Sequence, residues 1–161
     1  MKTLTLKGSI AKKLVEEARK FDLTPKEYLL EILTKNFDPQ TKITEYIKSA
    51  ESFLEEARKE LKRNNIRQAA EKIWGAASLT IKAYALWKEG KRLASHSELW
   101  EYKTFLANEL GEWVRESWFA AQSMHTCFYE GWCDKTDVEI ALKYVEKLVK
   151  KVKEIIGLPV S

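Results

Sequence analysis

The residue types that most often carry out chemistry are concentrated in one part of the sequence. Both histidines, both cysteines and all six tryptophans lie between Trp74 and Cys133. The helical pattern of residues 112–132 brings five polar and aromatic side chains onto one flank, since a helix advances about 100° per residue. They are Arg115, Trp118, Gln122, His125 and Tyr129. These five residues are the candidate groove or interface, in which His125 could serve as a base, a ligand-binding group or a phosphate contact.

The same flank has a second interpretation, in which it hydrogen-bonds to neighbouring helices or to a second subunit. Trp118 and Trp132 lie on the same side of the helical wheel as His125, and we expect their rings to shield it from water. We therefore favour a structural role for His125 and assign no catalytic residue.

The pattern of histidines and cysteines does not predict a metal site. His125, Cys127 and Cys133 point in different directions on an ideal helix, and His96 belongs to a distant loop. Zinc requires convergent ligands, so we predict neither a metal nor another cofactor. The cysteines are expected to be free, small core residues, which favours a reducing cytoplasm.

Composition narrows the class of partner. The net charge of the 161-residue chain is only +4, and lysine and arginine form no dense basic block, so charge does not indicate nucleic-acid binding. No apolar run approaches the roughly 20 residues that a membrane helix needs. We expect a cytoplasmic protein without a membrane segment.

Capping and periodicity signals predict the elements that carry these residues. Thr3–Lys7 alternates like a strand, Ser9 caps a helix to about Phe21, and Thr24-Pro25 begins another to about Asn36. Four longer helical patterns follow, at 39–63, 66–88, 112–131 and 136–156. A shorter helical pattern, at about 98–110, lies between the second and the third of them. The predicted fold is all-α, an antiparallel helical bundle (38–161) preceded by an N-terminal extension with a strand and two short helices (1–37).

Four segments resemble the archaeal PaREP family, a set of helical proteins related to HEPN domains. They are DLTPKEYLLEIL (Asp22–Leu33), YIKSAESFLEEARKEL (Tyr46–Leu61), QAAEKIWGAASLTIKAYA (Gln68–Ala85) and WFAAQSMHTCFYE (Trp118–Glu130). The resemblance implies a HEPN-like bundle of about four helices that commonly dimerises, so we expect a homodimer. It also implies a possible setting in toxin–antitoxin or defence systems. Where the family often has a second histidine, this chain has Tyr129.

Three functions compete. HEPN ribonucleases carry Arg and His on one helix with four to six residues between them, whereas Arg115 and His125 have nine residues between them and lie about 15 Å apart along the helix. Arg92 and His96 have three between them, in a predicted loop. We therefore rank a metal-independent ribonuclease third. A non-catalytic module that binds a protein partner or a nucleotide ranks first.

A DNA-binding protein of the ribbon-helix-helix type ranks second. The N-terminal strand followed by two helices resembles that unit, in which strands pair across a dimer and enter the major groove. The DNA-contacting side chains would be Thr3, Thr5 and Lys7.

Overall fold

Seven helices make up the fold. A computed structural model describes residues 2–159, and in that range the chain is helical without any strand. The helices are α1 (Gly8–Lys20), α2 (Pro25–Leu33), α3 (Pro39–Lys62), α4 (Ile66–Glu89), α5 (His96–Leu110), α6 (Trp113–Glu130) and α7 (Lys135–Ile156). The predicted all-α class is confirmed.

Side-chain caps fix where several helices begin. Thr24 and Asp38 accept hydrogen bonds from the backbone of the first turns of α2 and α3, each followed by proline as predicted. Asp134 and Asp137 form a reciprocal capping box at the start of α7. Ser9 is not a cap, because α1 already begins at Gly8.

Helix α4 lies at the centre of the bundle, in contact with α3, α5, α6 and α7. Every residue from 73 to 85 is buried. Its small residues permit this, as Gly75 illustrates: a Cβ there would lie 3.0 Å from the ring of Phe53 on α3. The small residues of α4 therefore allow several neighbouring helices to approach it closely.

The predicted strand Thr3–Lys7 is wrong, because residues 2–7 run as irregular chain. A five-residue strand is unstable without a partner, and the described part of the chain offers it none. Thr3, Thr5 and Lys7 are exposed there, and their proposed contact with DNA stays a prediction.

In the N-terminal arm, α1 and α2 with the turn between them, helical periodicity predicts buried apolar faces that include Ile10, Ala18, Ile32 and Leu33. Ile10, Ile32 and Leu33 are at least half exposed. The fully enclosed positions of these two helices are Ala18 and Glu27. The residues that the arm buries therefore include a charged side chain as well as an apolar one. The division of the chain into an extension (1–37) and a bundle (38–161) stays a prediction.

The cysteines are bonded to each other, so the expectation that they are free is wrong. Helix α6 ends at Gly131, whose φ of 72° turns the chain back and brings Cys133 to a Cα distance of 5.7 Å from Cys127. The bond removes the argument that free thiols gave for a reducing compartment. Among the described residues, we find no helix with both the length and the apolarity that a bilayer crossing demands.

Candidate functional site

Both histidines of the chain meet beside Trp74 of α4. The ring of His96 stacks on Trp74 at 5.1 Å between centroids, and the ring of His125 lies 4.6 Å from it. The two imidazoles are 5.3 Å apart. His96 is the first residue of α5, held there by the Ser95 cap, and not part of a distant loop as expected. The argument against a metal site, which depended on that loop, is therefore corrected.

A carboxylate from the N-terminal arm completes this cluster. Asp22 lies in the turn between α1 and α2 with φ 55°, a left-handed conformation that aspartate tolerates better than most residues. Its Oδ2 is 2.8 Å from His96 Nδ1 and 3.6 Å from His125 Nε2. The ligand atoms of Asp22, His96 and His125 all lie within 4.8 Å of one another. We call these three residues the His–His–Asp cluster.

Gln122 contacts His96 on the side of the ring away from Asp22. It precedes His125 by one helical turn, so both side chains leave α6 on the same flank. Gln122 Oε1 lies 3.0 Å from His96 Nε2. Both ring nitrogens of His96 thus face oxygen atoms, which fixes the orientation of the ring.

A cavity of about 250 Å³ adjoins the cluster, and we call it the histidine cavity. Its polar lining includes Arg19, Asp22, Glu71, His125 and Tyr129. Burial lowers the pKa of His125, while Asp22 opposes that effect, so the neutral imidazole is favoured. Burial also raises the pKa of Glu71 and of Tyr129. The cavity therefore holds groups that could bind a ligand or exchange a proton.

The structure brings only part of the predicted groove together. Gln122, His125 and Tyr129 surround the cluster or its cavity. Arg115 instead pairs with Glu112 and donates to Asn108 at 3.2 Å. From Arg115 to Tyr129 the helix extends about 21 Å, so a single flank reaches two different neighbourhoods.

The tryptophans do not shield His125 as expected. Trp118 is fully buried between Trp74 and Trp100 and does not line the histidine cavity. Trp132 is 78% exposed, beyond the end of α6. His125 is therefore covered mainly by Trp74, and one edge of its ring meets Tyr129 at 5.1 Å.

A second cavity, of about 490 Å³, lies on the other side of the turn at residues 21–24. Four basic side chains and a single carboxylate, Glu31, line it, so we call it the cationic cavity. The basic side chains are Lys35, Lys42, Lys82 and Arg92. Glu31 lies 3.4 Å from Arg92, 3.8 Å from Lys82 and 3.9 Å from Lys42.

Lys82, in the lining of this cavity, and Glu27 on α2 are both buried ionisable residues. Lys82 is only 4% exposed, and Glu27 is 1% exposed. Burial raises the pKa of Glu27 to about 7, although the charge of Lys82 lowers it. Sequence reasoning missed both, yet a lysine inside the apolar run SLTIKAYA (78–85) was a signal that could have singled out Lys82.

Comparison with known proteins identifies the family. The model of the archaeal PaREP1/PaREP8 family matches residues 45–149, about two thirds of the chain. The chain belongs to this family. The segment shared with PaREP1/PaREP8 contains His96, His125 and Lys82, whereas Asp22 precedes it. No curated protein and no solved structure matches the chain significantly.

Proposed function

We propose that the protein is a non-catalytic binding module whose ligand is a nucleotide, held in the cationic cavity. The observation that carries this proposal is the state of Lys82. In the described part of the chain, the only carboxylate within 4 Å of its Nζ is Glu31, at 3.8 Å, which is too far for a hydrogen bond. Because Lys82 lines the cationic cavity, an anionic ligand bound there would give its ammonium group a closer acceptor than Glu31 does.

The charge balance of the cavity supports an anion. Four basic side chains face one carboxylate, and Glu31 is already engaged because Tyr46 donates a hydrogen bond to it at 2.6 Å. Burial lowers the pKa of Lys42, the charge of Glu31 opposes that effect, and the nearby cations Arg92 and Lys82 lower the pKa further. Phosphate groups are strong partners for such lysine and arginine side chains.

The aromatic wall of the cavity supports a base on that anion. Phe21 and Tyr28 stack at 5.9 Å with 16° between their rings, and Phe21 is 54% exposed. Flat aromatic surfaces of this kind stack on nucleobases without strong preference for one base. The volume of about 490 Å³ falls in the range typical of small-molecule sites.

Calorimetry with ADP, adenosine and inorganic phosphate tests the proposal. We expect ADP to bind more tightly than either fragment, and Lys82→Met and Arg92→Gln each to weaken it at least about tenfold, since charge-assisted hydrogen bonds contribute 1.5–3 kcal/mol. Lys153→Met is the matched control, because Lys153 is also buried but pairs with Glu51 at 3.0 Å and does not line the cationic cavity. Equal ADP binding by wild type and Lys82→Met would contradict the proposal.

The expected homodimer and protein partner are part of the same proposal. A groove of about 530 Å³ between α6 and α7 leaves Trp132, Ile140 and Tyr144 partly exposed. A second copy would remove these apolar groups from water. Light scattering should then give a mass near twice 18.7 kDa, and a strict monomer at micromolar concentration would disprove it.

The ribonuclease, ranked third from the sequence, gains support from the position of His96. This residue supplies a second imidazole beside His125, where the family's second histidine is replaced by Tyr129. Two imidazoles 5.3 Å apart can act as general base and general acid. RNA cleavage that persists in chelator and is lost in His125→Ala would favour this candidate over a non-catalytic module. DNA binding would instead require salt-dependent affinity for a duplex that disappears when residues 1–8 are deleted.

The proposal also includes three further points: that the protein is related to HEPN domains, that it acts in a toxin–antitoxin system, and that it is located in the cytoplasm. A neighbouring gene for a nucleotidyltransferase would support the toxin–antitoxin setting. The disulfide is compatible with the cytoplasm, since intracellular proteins of hyperthermophilic archaea are rich in such bonds.

A further inference from the structure

We propose that Asp22, His96 and His125 bind a divalent first-row transition metal ion, with zinc as the ion we use to test it. The proposal goes beyond nucleotide binding, because it concerns the other side of the 21–24 turn and different side chains. Two imidazoles with one carboxylate form a ligand set suited to zinc, iron, nickel or copper.

The two distances from Asp22 lie near those of a bound ion, and all three ligand atoms are within 4.8 Å of one another. Zinc bonds of 2.0–2.1 Å in a tetrahedron place neighbouring ligand atoms about 3.3 Å apart. The Asp22 carboxylate oxygen lies 2.8 Å from one imidazole nitrogen and 3.6 Å from the other, on either side of that value. Small rotations of Asp22, whose side chain is 44% exposed, would equalise them.

The surroundings of the cluster already resemble an outer ligand shell. Gln122 Oε1 faces His96 Nε2 at 3.0 Å, so a proton on that nitrogen leaves Nδ1 free to bind a metal. His125 cannot turn away easily, because Trp74 covers its face at 4.6 Å and Tyr129 meets its edge. Both rings are therefore held with a nitrogen directed at Asp22.

An ordinary ion pair explains less of the arrangement. A hydrogen bond between Asp22 and His96 satisfies one imidazole, whereas His125 Nε2, at 3.6 Å from the same oxygen, is too far away for a hydrogen bond. A metal ion accounts for the convergence of all three side chains. Three protein ligands leave one tetrahedral position, and the adjoining histidine cavity has room for water there.

Titration of the chelator-treated full chain tests the site. We expect calorimetry with zinc to show one site per chain, and cobalt(II) to give the visible absorption of a low-symmetry site. His96→Gln and His125→Gln should each weaken zinc binding at least about 100-fold, and Gln122→Ala about tenfold, since outer-shell changes usually cost 10–100-fold in affinity. The control is Cys127→Ala with Cys133→Ala, which removes both sulfur atoms and should bind zinc like wild type.

Nitrogen NMR of the wild-type rings keeps the test valid even if a histidine variant fails to fold. Because the chain has only two histidines, both rings can be observed without ambiguity. Zinc should shift Nδ1 of His96 and Nε2 of His125 at one equivalent. Unchanged ring signals in the presence of zinc, or zinc binding that survives the loss of both imidazoles, would overturn the proposal.

Discussion

Glu27 offers the sharpest test of the physical account of this fold. Its side chain is 1% exposed beside Gly75, where the hydroxyl of Thr24 donates to Oε1 at 3.2 Å. Its other oxygen has no hydrogen-bond partner among the described residues. We expect Glu27→Gln, which keeps the shape and removes the charge, to stabilise the protein at alkaline pH.

The size of the effect follows from the pKa. Burial raises the pKa of Glu27 from its ordinary value near 4.5 to about 7, which corresponds to about 3 kcal/mol. Below pH 4.5 both the folded and the unfolded chain hold the proton, and between pH 4.5 and 7 only the folded chain does. Because the folded state binds more protons in this window, stability falls as pH rises through it and then levels off.

Guanidinium unfolding at pH 5 and pH 8 measures this contribution. Glu27→Gln should match the free energy of unfolding of wild type within about 1 kcal/mol at pH 5, and exceed it by about 3 kcal/mol at pH 8. Glu16→Gln, at an exposed position of α1, is the control and should follow wild type at both values. If Glu27→Gln and wild type lose stability in parallel between pH 5 and pH 8, the raised pKa is refuted.

Three further changes test the packing. Gly75→Ala should lower the free energy of unfolding by about 1 kcal/mol, because overpacking against Phe53 at 3.0 Å outweighs the better helix propensity of alanine; a more stable variant would contradict this. Reduction of the disulfide should lower the free energy of unfolding by about 2 kcal/mol, as expected for so short a loop, measured by chemical unfolding. The free energy of unfolding of Cys133→Ser should not change when reductant is added. His125→Ala in chelator should lose about 1–3 kcal/mol of stability by thermal melting; an unshifted melting curve would show that His125 does not hold the bundle together.

The helices were predictable because their signals are local. Asp38-Pro39 marks the start of α3, and the apolar spacing from Ile43 to Leu61 marks the face that is buried. The arm was harder to predict, since periodicity puts Ile32 and Leu33 on the buried face of α2, whereas the enclosed residue of that helix is Glu27. Its burial depends on the space left by Gly75 on another helix, which no local pattern reveals.

The His–His–Asp cluster was not predictable for a related reason. Asp22 and His96 are 74 residues apart, and periodicity describes one helix at a time. The helical wheel correctly put Gln122 and His125 on one flank, but it also added Arg115, which lies too far along the helix axis. The disulfide was not predicted because the helix ends at Gly131, between the two cysteines, so the directions of side chains on an ideal helix do not apply to Cys133.

Both proposed sites depend on the same arm in a complementary way. The family-matched segment supplies the imidazoles, Lys82 and Arg92, whereas the arm supplies the carboxylates of Asp22 and Glu31 and the ring of Phe21. Without the arm the bundle would still present nitrogen donors on α4, α5 and α6, but the metal cluster would lose its anionic ligand and the cationic cavity its aromatic wall. If both proposals hold, changes in the turn at 21–24 should weaken the binding of ADP and of zinc while leaving the core of α3, α4, α6 and α7 intact.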